Sequence, residues 1–85
     1  MPYIDYVSRL RVLPTEARKK INPETPGELN FVLTSLILSY LDRTEKKYAD
    51  YNEIMGVLEC IKQELYRRVI APYEEHKKND NGDVY

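Results

Sequence analysis

LNFVLTSLILSYL, residues 29–41, decides the fold. The stretch carries no charged side chain, and on a helix its apolar groups fall on every side. A chain of 85 residues has few other elements with which to cover such a helix. The helix is therefore wrapped by its own neighbours or shared with a second copy of the chain. Leu29, Val32, Leu33, Leu36 and Tyr40 share one side. Phe31 and Leu38 lie seven residues apart on the opposite side, and an oligomer interface is expected through them.

The residues just upstream supply a start signal. In Thr25-Pro26-Gly27-Glu28, Thr25 is placed to cap, Pro26 sits at the first helical position and Glu28 at the third. The threonine hydroxyl can accept from the amide of residue 28 while the carboxylate reaches back to the cap amide. This helix is expected to run to about Arg43. A second start, Asp50-Tyr51-Asn52-Glu53, has the same spacing and opens a stripe of Ile54, Val57, Leu58, Ile61, Leu65 and Val69. Pro72 removes a backbone donor, so the helix should kink or end there before an exposed continuation to Lys78. Asn81-Gly82 is a break. At the other end, Ile4, Val7 and Leu10 have helical spacing up to Pro14, and Thr15 is placed to cap a further turn through EARKKI.

These elements predict an all-α protein with a single domain over 1–85. A short N-terminal helix and loop occupy 1–24, long helices span 25–43 and 50–78, and 79–85 form a tail. The two long helices are expected to make an antiparallel hairpin, with the short one laid across it, assembling into a helical-bundle oligomer.

Composition narrows the class of function. The formal net charge is −1, so no global positive field draws the chain to nucleic acid, and no extended nucleic-acid binding is expected. Residues 29–41 fall short of the roughly 18 to 20 apolar residues a membrane span requires, and MPYIDYVSRL lacks the apolar run of a signal peptide. A soluble, cytoplasmic protein is expected. The single cysteine, Cys60, excludes an internal disulfide and a cysteine-based metal cluster.

The residues that invite chemistry are few. Glu59 lies beside the apolar stripe, where a carboxylate either acts as a functional acid or pairs structurally with an arginine or a tyrosine hydroxyl. Glu64 has the spacing for intrahelical ion pairs with Arg67 and Arg68. Glu74-Glu75 is followed by His76-Lys77-Lys78, not by the third acid that acidic magnesium-binding helices carry. A Mg²⁺-dependent nucleotide pyrophosphohydrolase-like enzyme would have to gather Glu28, Glu59 or Glu64 from different helices or subunits. It stands as the alternative to a non-enzymatic protein. No catalytic residue, metal site or cofactor is expected, and Cys60 and His76 read as a packed thiol and a solvated side chain.

Tyrosine is in excess, with eight residues and no tryptophan. Tyr3 and Tyr6 lie near Arg9 and Arg11, and Arg67 and Arg68 are adjacent in the last long helix. Aromatic faces beside guanidinium groups suit a nucleotide base and its phosphates, and they suit a protein interface equally well. Tyr3, Tyr6, Arg9, Arg11, Arg67 and Arg68 are the candidate ligand- or partner-binding residues.

TPGELNF (25–31), LECIKQELYRRVIAPYEEHK (58–77) and NGDVY (81–85) resemble a family of small uncharacterised proteins associated with phage and prokaryotic genomes. The resemblance covers most of the chain from Thr25 onward; residues 5–22 contribute nothing to it. It implies a small helical protein of unknown function and transfers no site residue. It also favours an accessory factor that binds a host protein or sequesters a small phosphorylated, nucleotide-like ligand.

Overall fold

A computed structural model describes residues 4–84, and every regular element among them is helical. Two compact units divide the chain, residues 1–47 and 48–85, and each is described by itself. No helix is long and apolar enough to cross a membrane among the described residues.

The first unit holds three helices. Helix α1 spans Tyr6–Val12, and the Asp5 carboxylate caps it by accepting from the Ser8 amide at 2.7 Å. Leu13, at φ −143° and ψ 81°, leaves the helical region, which the following proline disfavours. Helix α2, Thr15–Lys20, follows at once. Thr15 does not cap it: Pro14 holds the cap position with no side-chain hydrogen bond, and Thr15 is already helical. The fixed φ of proline, −58° here, makes this short entry possible without a hydroxyl.

Helix α3 spans Pro26–Leu41. Thr25 has the extended backbone of a cap, and its Oγ1 accepts from the Glu28 amide at 3.1 Å. The return bond differs from expectation. Glu28 Oε1 accepts from the amide of Glu24 at 3.1 Å, one residue before the cap, and so ties the incoming strand of chain to the first turn. The helix ends two residues before Arg43, because the amides of Arg43 and Thr44 tighten onto the carbonyls of Tyr40 and Leu41. Thr44 Oγ1 donates to the Leu41 carbonyl at 2.7 Å and accepts from the Lys46 amide at 3.2 Å. Those bonds hold Lys46 at φ 58°, a left-handed conformation costly for a side chain with a Cβ.

The second unit is one helical run. Helix α4, Tyr48–Leu65, begins two residues before Asp50, which lies in the first turn and is not the cap. An acid there still complements the positive end of the helix. Tyr66–Ile70 then form a π-helical turn, and helix α5 continues over Ala71–Asn81. Pro72 therefore does not end the helix. The Ala71 amide reaches back five residues to the Tyr66 carbonyl, and the wider turn accommodates the proline that a regular α-turn would reject. Gly82, at φ 87°, stops the run, with its amide on the Lys78 carbonyl at 2.8 Å.

Candidate functional site

The sequence-selected residues fall in both units. Tyr3 lies outside the described residues. Tyr6 projects from the first turn of α1 with 71% of its surface exposed. Arg9 folds back, its Nε donating to the Ile4 carbonyl at 2.8 Å, while Arg11 is exposed in the last turn. The Ser8 amide that Asp5 caps also holds its carboxyl below the usual carboxylate range.

Arg67 and Arg68 sit on the π-helical turn, and both guanidinium groups converge on Glu64, Arg68 Nε at 2.7 Å. Two cations on one half-buried acid hold the Glu64 carboxyl below its ordinary value, the Arg67 hydrogen bond being the larger cause. Across the same turn the Tyr66 hydroxyl donates to Glu74 at 3.2 Å. The carboxylate's charge, before the hydrogen bond, pushes the phenol above its normal pKa. His76 pairs with Asp80 at 3.2 Å, and Lys77 Nζ stands 5.7 Å from the centre of the Tyr73 ring. The pairing of Glu64 with both arginines follows from sequence spacing, but the wide turn and the Tyr66–Glu74 contact do not; their signal is Pro72 inside an otherwise uninterrupted helical pattern.

The carboxylates proposed for a metal go elsewhere. Glu28 serves the Glu24 amide and Glu64 the two arginines. Glu59 is exposed, and its Oε1 accepts from Gln63 Nε2 at 2.9 Å, so it is neither a buried acid nor an arginine partner. Among the described residues, no three His, Cys, Asp or Glu side chains gather around one point. Cys60 is a free, half-buried thiol.

What α3 presents is apolar surface. Phe31 is 72% exposed and Leu38 55%, and no described residue is fully buried. Phe31 stands between two open hollows. One, of about 480 Å³, runs between the 21–24 segment and α3 and is lined by Ile21, Pro23, Phe31, Val32 and Leu36. The other, of about 570 Å³, is bounded by Pro26, Gly27, Asn30, Phe31 and Thr34. Sequence pattern pointed to Phe31, but the first hollow depends on the path of residues 20–23, which no periodicity reveals. Lys20, Glu28 and Ser35 also line the first hollow, at the rim of its apolar side chains.

A family model described as a domain of unknown function (DUF6899) matches residues 1–84. No curated protein and no solved structure matches the chain.

Proposed function

The chain belongs to the family of that domain of unknown function, and from this premise we propose that it acts by assembly and binding, without catalysis. The observation that carries the reading is Phe31, a large aromatic 72% exposed in the uncharged stretch 29–41 between two open hollows. An apolar surface of that kind marks an interaction site. In this reading α3 and α4 form an antiparallel hairpin through the stripe from Ile54 to Val69, within one domain. Hairpins then associate through Phe31 and Leu38 into a cytoplasmic oligomer.

The binding residues are Tyr3, Tyr6, Arg9, Arg11, Arg67 and Arg68. Tyr6 and Arg11 are exposed, as recognition of a host protein or a small phosphorylated ligand requires. Arg9 would exchange the Ile4 carbonyl for a phosphate oxygen. The role that fits is that of a phage-type accessory factor that occupies a host component or sequesters a nucleotide-like molecule.

The test is incubation of the purified protein with a panel of nucleotides and Mg²⁺. Recovery of intact bound ligand after denaturation supports sequestration. Turnover abolished by Glu59→Gln or Glu64→Gln, in variants that keep their helicity, overturns the reading in favour of the hydrolase. Light scattering that finds a monomer at tens of micromolar removes the oligomer.

A further inference from the structure

The face of α3 that carries Phe31 and Leu38 has its own register. Phe31 and Leu38 are equally distant from the Thr34–Ser35 pair, so this face offers two large side chains flanking two small ones. Gly27 and Asp42 continue the same line at its two ends. The hollow bounded by Gly27, Asn30, Phe31 and Thr34 has the spacing i, i+3, i+4, i+7. Four residues in that arrangement form the hole that receives one knob from a facing helix.

We infer that the occupant is α3 of a second copy, running antiparallel across a two-fold axis at Thr34–Ser35. This rests on the assembly reading above and adds its partner surface and register. In that register the middle of the hollow lies level with residues 38 and 39 of the mate. Leu38 is the side chain on the mating face there, so it fills the hole, and the two-fold makes Leu38 of each chain the knob in the hole that Phe31 helps to form on the other.

Charge separates this arrangement from a parallel one. Antiparallel pairing brings Asp42 of each chain, which holds Lys46 of its own chain at 3.4 Å, level with Gly27 of the other, beside the amides at the start of α3. Parallel pairing would instead set Asp42 against Asp42 and like helix ends together. The line between Glu28 and Asp42 holds no charge to be desolvated. The one hydroxyl facing the hole is already used, since Thr34 Oγ1 donates to Asn30 Oδ1 on its own helix at 3.1 Å. Covering that hydroxyl therefore leaves its donor paired.

The test places single cysteines on α3 in a Cys60→Ser chain and treats each with a short bis-maleimide reagent, alongside light scattering. Thr34→Cys should give a covalent dimer, because residue 34 of one chain lies one residue's rise from residue 34 of the other. Asn30→Cys should give none, because its two copies are nine residues' rise apart, about 13.5 Å. Cross-linking at Asn30→Cys would show a parallel mate and overturn the inference. A dimer by mass that does not cross-link through Thr34→Cys would overturn the register and leave the assembly reading standing. A monomer by mass would overturn both, and would mean that another part of the same chain covers Phe31 and Leu38.

Discussion

Replacing Phe31 and Leu38 together by glutamine tests whether the exposed face of α3 is an interface. A phenylalanine side chain carries about 200 Å² of surface, so a residue 72% exposed leaves about 140 Å² to be covered. If association covers half of that, about 70 Å² leaves water, contributing about 1.7 kcal/mol per chain at ~25 cal/mol per Å². Leu38, 55% exposed on a side chain of roughly 150 Å², adds about 1 kcal/mol by the same reckoning. Both copies change in a two-fold dimer, so the double variant should lose about 5.5 kcal/mol, or roughly four decades in the dissociation constant. Glutamine forms helix at least as readily as phenylalanine, so the far-ultraviolet circular dichroism should persist. Light scattering over a concentration series supplies the assay. The wild type should have at least dimer mass at tens of micromolar and the variant monomer mass. Equal masses at every concentration would refute the reasoning.

Other perturbations read the local structure. Thr25→Ala removes the oxygen that accepts from the Glu28 amide and should lower stability by about 1 kcal/mol in a denaturant titration. Glu74→Gln should bring the Tyr66 phenol back toward its normal value near 10, visible as an earlier tyrosinate absorbance step. Because the folded Tyr66 pKa is raised, the stability it contributes is complete below about pH 10 and is lost as the pH rises through the folded value. Glu64 has the opposite sign. Its folded pKa is depressed, so its contribution is present above about pH 4.3 and is lost as the pH falls through the lower folded value. Thermal melts from pH 6 to pH 2 should therefore converge for wild type and Glu64→Gln at the acid end. Pro72→Ala should let the wide turn relax, breaking the Tyr66–Glu74 contact and raising the helix melting temperature.

Much of the local structure was legible because it depends on neighbours in sequence. The Thr25 cap and the pairing of Glu64 with Arg67 and Arg68 follow from spacings of three and four. The misplaced starts have a common origin. At Thr15 and Asp50 a residue with a good capping side chain was read as the cap, but Pro14 and Tyr48-Ala49 had already set the backbone. Glu28 reached past Thr25 to Glu24 because a side chain chooses among amides that sequence does not place in space. At Pro72 the missing donor was legible, but not the response to it, since ending, kinking and widening a helix all answer the same clash. The hollow beside Phe31 required the path of residues 20–23 and could not be read from either element alone.

The π-helical turn has an angular consequence. Each residue of an α-helix advances the direction of its side chain by about 100°, and the wide turn spends one residue without that advance. Side chains beyond it are thus set back by about that angle from where a continuous α-helix would aim them. The periodicity from Ile54 to Leu65 does not simply extend into α5: Ile70, at 44% exposure, is more sheltered than Val69, at 59%. The helical run therefore carries two faces with separate bearings, an apolar one along α4 and one on α5 that holds Tyr73, Lys77 and the acid bound to Tyr66. Deleting a single residue between 66 and 70 would swing the second face round without altering either half.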